Sequence, residues 1–453
     1  MLTLVAFVVA IAVLVTVHEW GHYAAARVFA VKVLRFSVGF GPQVIGWKSA
    51  RSGTEYVIGL LPVGGYIKML DEQEAPVALA ERSMAFNNQP LRSKATIVAA
   101  GPIANLLLAV ILYSTVNWIG VEQPQAILSQ PPAMSILAGA GFQGGEKILM
   151  AGFEGEALEA VVSFEGFRWW LAKSAVEHRN LQVEFVTPQG GSSRSTLLKL
   201  TELDSQHIDA QLLQKVGVSL PFSQARLGNL LPDGAAAQAH LMTDDVVLRV
   251  DEVNIVDAFQ LRELIRASGR SGVPKVQTWL VERKGEQLSL SVAPKLLQEG
   301  VLSIGRVGAI IGAPPTMTMI QFGLLDGVGE AIRHTWETSF LTLRVMGQIL
   351  IGEASLKNLS GPVTIADYAG KSAAMGFTQF LVFLALMSVS LGVLNLLPLP
   401  LLDGGHLMYY LWESLSGTPV AQLWTQRLQK VGLVILFMMM TVAIDNDVTC
   451  LLP

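Results

Sequence analysis

The sequence predicts a polytopic α-helical membrane protein: four transmembrane helices, a membrane-associated β-hairpin, and two α+β domains inserted between the second and third spans. Three observations carry this. Of 453 residues, 51% are hydrophobic and only 15% charged, with a mean hydropathy of +0.46, against about 25% charge in average soluble chains. Long apolar runs stand toward both ends of the chain. Between them, residues 121–315 regain charge, strand-like alternation and Gly, Pro and Asp turns. A net charge of −4 offers no basic surface for nucleic acid. The single cysteine, Cys450, excludes an internal disulfide framework and a Cys-rich zinc module.

The first apolar stretch runs from Leu2 to Val17 and continues through His18-Glu19 to Ala30. Few basic residues precede it, and no small-residue cleavage site comes before His18, so it reads as a retained transmembrane helix (1–30) rather than a signal peptide. Residues 31–96 read as a cytoplasmic, re-entrant β region. Within it "EYVIGLLPVGGYIKML" (Glu55 to Leu70) is strand-like and interrupted by Pro62 and Gly64-Gly65. Ile97 to Ile119 and Phe377 to Leu402 are uncharged runs of 23 and 26 residues. A span needs ~20 residues, so they predict the second and third membrane helices, over 97–120 and 376–403. Val431 to Ile444 is only 14 residues long. It predicts a tilted fourth span within 404–453, with Arg427 and Lys430 snorkelling at one end. In the linker 316–375, Phe340, Leu343, Met346 and Leu350 recur at helical spacing among Glu330, Arg333, His334, Glu337 and Arg344. That pattern predicts an amphipathic helix on the membrane surface or against the core, with His334 as an interfacial side chain.

Basic residues set the orientation. From Arg27 at the end of the first span to Lys94 before the second, the chain holds nine positive residues against five acids, and Arg427 and Lys430 flank the last span. The positive-inside rule places both loops in the cytoplasm, with the two termini and residues 120–376 outside.

The insert carries a weak internal repeat. "SILAGAGFQGGEKILMAGFEGEAL" from Ser135 aligns with "AAAQAHLMTDDVVLRVDEVNIVDA" from Ala235, pairing Gly141 with His240, Gly145-Glu146 with Asp244-Asp245, and Ile148 with Val247. Two domains are expected, over 121–213 and 214–315. Each resembles a PDZ domain, a fold that binds extended peptides by strand addition. His240 and Asp244 replace the glycines of that pattern in the second copy.

The chemistry begins at "HEWGH". On a helix His18 and His22 share a face and can reach one metal, while Glu19 sits about 100° around and can serve as general base. Ionisable groups at membrane depth are costly, so their presence points to function. Catalytic zinc sites use three protein ligands. In "NLLPLPLLDGGHL" (Asn395 to Leu407), two prolines precede Asp403 and two glycines follow it. Asp403 is the expected third ligand, with His406 as its rival.

Together, HExxH in the first span and "NxxPxPxLDGG" in a late one resemble the site-2 protease family of intramembrane zinc metalloproteases. The resemblance extends through "RFSVGFGP" (Arg35 to Pro42), "AFNNQP" (Ala85 to Pro90), "AAGPIANLLLA" (Ala99 to Ala109) and "NLSGPVTIA" (Asn358 to Ala366). It implies Zn²⁺ held by His18, His22 and Asp403, with Glu19 as catalytic base. It implies a substrate-binding or oxyanion role for Asn395 and a less defined one near the site for Asn105. The expected substrates are single-span membrane proteins: an anti-sigma factor already trimmed by a first protease, and remnant signal peptides. The expected location is the bacterial inner membrane, with the active site toward the cytoplasm and the PDZ-like pair as a periplasmic filter. The hairpin around Gly64 and Gly65 is expected to dip toward the site and pair with unwound substrate. A metal transporter would need more polar residues along the second and third spans, and an inactive scaffold would be expected to lack Glu19 or Asp403.

Overall fold

The computed structural model describes residues 1–202, 215–218, 220–270, 272–273, 275–299, 302–350 and 361–451. The start of the "NLSGPVTIA" motif, the expected boundary at 213/214 and the Cys450 side chain lie outside the described residues. The chain divides into two units: Met1–Val121 together with Gln321–Pro453, and Glu122–Ile320.

The first unit contains helix α1 (Leu2–Val28), strands β1 (Val33–Lys48) and β2 (Glu55–Met69), then α2 (Leu91–Ile119), α3 (Leu324–Leu350), α4 (Pro362–Met375), α5 (Phe377–Leu396), α6 (Asp403–Ser416) and α7 (Gln422–Leu451). Among the described residues, four helices are long and apolar enough to cross a membrane: α1, α2, α5 and Leu423–Asp447 of α7. Their outward residues, among them Leu4, Val9, Leu107 and Ile111, are exposed, as a lipid-facing surface requires. α2 is the central post and packs against α1, α3, α5 and α6. Ala109 and Tyr113 of α2, Ala331 of α3, and Ala385, Val389 and Val393 of α5 form one buried cluster. Small residues allow this approach: a Cβ on Gly21 would collide with the Ala100 carbonyl, and one on Gly392 would stand 3.0 Å from the Pro102 oxygen.

Several boundaries differ from the sequence expectation for physical reasons. α2 begins at Leu91 rather than 97, because Pro90 starts it and the charged turn with Arg92 and Lys94 is helical too. The third membrane helix stops at Leu396, since Pro398 and Pro400 break it. Asp403 therefore belongs not to that span but to the first turn of a separate helix, α6, within the segment read as a loop. The fourth apolar run is the centre of a 30-residue helix. The amphipathic linker is two helices: α3 lies against α2 and α5, with His334 set edge-on to Tyr113 at 4.7 Å, and α4 packs on α1.

β1 and β2 form an antiparallel pair that folds back on itself. Arg35–Val38 is flanked on one side by Gly65–Lys68 and on the other by Glu55–Ile58, while Trp47 also meets Tyr56. Tyr23 anchors the sheet to α1 through a 2.7 Å hydrogen bond between its hydroxyl and that of Tyr56.

The second unit holds two modules of the same topology. The first has a four-stranded antiparallel sheet ordered Glu159–Ala160, Lys147–Phe153, Leu181–Val186, Arg194–Leu198, with helix Phe164–Glu177 packed over it. The other is ordered Val253–Asn254, Val246–Val250, Gln277–Arg283, Glu286–Val292, with helix Ala258–Ala267 and the fully buried Trp279 in its core. Gly141, Gly144 and Gly145 take positive φ in the first module; His240 and Asp244 take it in the second, at 58° and 72°. The residues that replace glycine thus keep the glycine backbone. Strand Met317–Ile320 pairs with Val121–Pro124 and closes the insert.

Candidate metal centre

α1 carries His18 and His22 one turn apart, and α6 delivers Asp403 opposite them. The prolines stop α5 and the glycines let the chain re-enter. A Cβ on Gly404 would collide with the carbonyls of Leu396 and Leu397, and one on Gly405 with that of Leu399. Gly101 of α2 leaves room for an imidazole, since a Cβ there would overlap the His22 ring.

The donor atoms converge. His18 Nε2 is 3.2 Å from His22 Nε2 and 3.2 Å from Asp403 Oδ2, and His22 Nε2 is 3.5 Å from that same oxygen. A tetrahedral zinc with bonds of about 2.0–2.1 Å sets its ligand atoms about 3.3 Å apart. These residues therefore fit a tetrahedral metal, with its fourth position left for water or substrate. Among the described residues they are the one cluster of three or more His, Cys, Asp or Glu donors placed to hold an ion. The His22 Nδ1–H donates to the Ile97 carbonyl at 2.8 Å, which leaves Nε2 unprotonated and free to ligate.

The other expected residues divide. Glu19 follows His18 on α1 and is half-buried against β2: a Cβ on Gly65 would stand 3.1 Å from Glu19 Cγ and 2.8 Å from Val15 Cγ1. Gly65 therefore sets how closely the hairpin approaches Glu19. Gly64 has φ 127°, and a Cβ on it would strike the Phe40 ring. Asn395 stands half-buried in the last turn of α5, outside the donor cluster. His406 lies three residues past Asp403 with its ring edge-on to Tyr409 at 6.0 Å and is likewise outside the cluster. Asn105 is fully buried, with Nδ2 3.2 Å from His18 Nδ1. Sequence reasoning did not find Gly101, whose signal was a glycine before proline inside an apolar helix.

Residues 6–439 match Peptidase family M50. The chain belongs to that family: it is a zinc metalloendopeptidase and a multi-pass membrane protein. It is 37% identical over 462 residues to a protein of Ralstonia nicotianae named as a zinc metalloprotease, covering 99% of this chain and 98% of that protein. It is 35% identical over 458 residues to the regulator of sigma-E protease RseP of Escherichia coli, covering 98% of each. It is 34% identical over 455 residues to the regulator of sigma E protease of Salmonella typhi, again covering 98% of each.

Proposed function

We propose that this chain is a regulated intramembrane protease of the inner membrane that hydrolyses a peptide bond within the transmembrane segment of a single-span substrate. The observation that carries the reading is the convergence of two imidazoles and a carboxylate at tetrahedral spacing inside a membrane-spanning bundle. His18, His22 and Asp403 would hold the zinc. Bound there, zinc supplies a Lewis acid and lowers the pKa of water. Glu19 takes the proton from the attacking water and returns it to the departing amine.

The hairpin supplies the substrate's partner. Gly65–Lys68 has Arg35–Val38 on one side, while α1 and Glu19 lie against Gly65. An unwound substrate strand added to that edge would present its carbonyls beside Glu19. Unwinding is required because a helix hides its carbonyls in hydrogen bonds. Asn395, at the end of α5, would contact the substrate strand or the developing oxyanion.

The substrates we assign are an anti-sigma factor first trimmed by another protease, and signal-peptide remnants. The names of the E. coli and Salmonella typhi relatives, each a regulator of sigma-E protease, support this. The insert would lie in the periplasm as a PDZ-like pair that filters substrates by size. A cavity of about 680 Å³ in its second module, lined by Leu230, Phe259, Arg262 and Ile265, is suited to an extended peptide. The test is cleavage of a truncated single-span substrate by purified protein in detergent. Asp403→Ala is expected to lose both zinc and cleavage; retention of both would refute the ligand set.

A further inference from the structure

We propose that Asn105 is the positioning residue that decides which nitrogen of His18 faces the metal with a free lone pair. The inference rests on the reading of His18, His22 and Asp403 as zinc ligands. The two histidines are held differently. His22 has its Nδ1–H fixed by a backbone carbonyl, that of Ile97, at 2.8 Å. For His18 Nδ1 the structure gives one hydrogen-bond neighbour, the Asn105 carboxamide at 3.2 Å. A backbone carbonyl can only accept, whereas a carboxamide can do either.

With Nδ2 toward the ring, the amide donates, Nδ1 accepts, and the His18 hydrogen sits on Nε2. It then points at Asp403 Oδ2, 3.2 Å away. In that arrangement His18 cannot ligate through Nε2. A half-turn of the carboxamide brings Oδ1 to Nδ1. Oδ1 is buried and accepts no hydrogen bond in the first arrangement. In the second it accepts the Nδ1–H, and the Nε2 lone pairs of both histidines converge with the Asp403 carboxylate. Metal-ligating histidines generally donate their other N–H to an acceptor of this kind.

The surroundings hold the residue for this task. Asn105 is 0% exposed, and its backbone carbonyl accepts from the Ser388 hydroxyl of α5 at 2.7 Å. The side chain is held against His18, away from solvent. Its role is thus to hold the ligand.

The experiment measures zinc retained by the full-length protein in detergent against a series of chelator concentrations, for wild type, Asn105→Leu, Asn105→Asp and Asp403→Ala. The melting temperature of each metal-stripped protein is recorded alongside. Asn105→Leu removes the acceptor, and its apparent zinc affinity is expected to fall about 10–100-fold. Asn105→Asp can only accept, and zinc retention is expected to return close to wild type. That rescue separates positioning from packing, because Asp and Leu both change a buried site. Wild-type retention in Asn105→Leu would overturn the inference. So would loss of zinc in Asn105→Asp equal to that in Asn105→Leu with an unchanged metal-free melting temperature. Zinc kept by Asp403→Ala would instead refute the ligand set itself, whatever the Asn105 variants do.

Discussion

At the scale of single residues, the site depends on places where a side chain is missing as much as on its donor side chains. Gly21, Gly101 and Gly65 let α2 and the hairpin close on α1, and a Cβ at any of them would meet Ala100, His22 or Glu19. Gly65→Leu is expected to lower cleavage at least tenfold while bound zinc is unchanged, because it pushes the strand off Glu19 without touching a ligand; unchanged cleavage would remove the hairpin from the mechanism. In the insert, Asp245 is fully buried. Burial pushes its carboxyl up, yet two hydrogen bonds from the Arg283 guanidinium, at 2.7 Å each, and one from the Met242 N–H hold it below the usual carboxylate range. A carboxyl depressed in the folded state stabilises it at neutral pH, and that contribution is lost as pH falls from the ordinary carboxylate range through the folded value. Slow hydrogen exchange of Val246–Val250 at neutral pH is expected to speed up in Asp245→Asn. The difference from wild type should shrink with acidification; no difference at neutral pH would refute the role of the pair. HExxH was legible because its spacing is local and the helix alone puts both histidines on one face. Asn105 was legible only as a polar residue near the site, since its contact with His18 arises from how two helices pack.

At the scale of elements, the breaks are as informative as the spans. The uncharged run predicted a span to residue 403, but Pro398 and Pro400 break it and the helix ends at Leu396. That the chain restarts as α6 with Asp403 in its first turn was not legible, because "LDGG" reads equally as a turn. Asp447 shows a different limit. In the structure the Asp447 carboxylate, 2% exposed, accepts from the Gly361 N–H at 3.1 Å and the Val363 N–H at 2.9 Å, and from the Thr364 hydroxyl. α4 has no side-chain cap of its own, so the end of α7 supplies one from 84 residues away in sequence. No periodicity announces such a partner. Asp447→Ala leaves those donors unsatisfied and is expected to cost about 1–3 kcal/mol. Thermal unfolding in detergent measures it, with bound zinc unaffected; an unchanged midpoint would mean the contact contributes nothing.

At the scale of the whole molecule, composition and apolar run length were enough to identify a four-span chain with an insert, because the membrane imposes length and hydropathy on whatever crosses it. The two inserted modules were legible only as a weak repeat. Their shared strand order is held by cores of different residues, and His240 and Asp244 adopt the backbone that glycine takes in the first copy. Orientation is tested by labelling from one side. In a Cys450→Ser background, Ser192→Cys in the insert should react with a membrane-impermeant maleimide in intact spheroplasts. Ser83→Cys, in the loop before α2, should react only after lysis. The reverse pattern would invert the assigned topology.

The most direct measurement compares wild type with Glu19→Gln, purified in detergent, for bound zinc and for cleavage of a truncated single-span substrate. The expected result is equal zinc in both, cleavage within the span by wild type, and cleavage lowered at least a thousandfold in Glu19→Gln. Full cleavage by Glu19→Gln would contradict its role as the base, and the loss of zinc in that variant would make Glu19 part of the metal site instead.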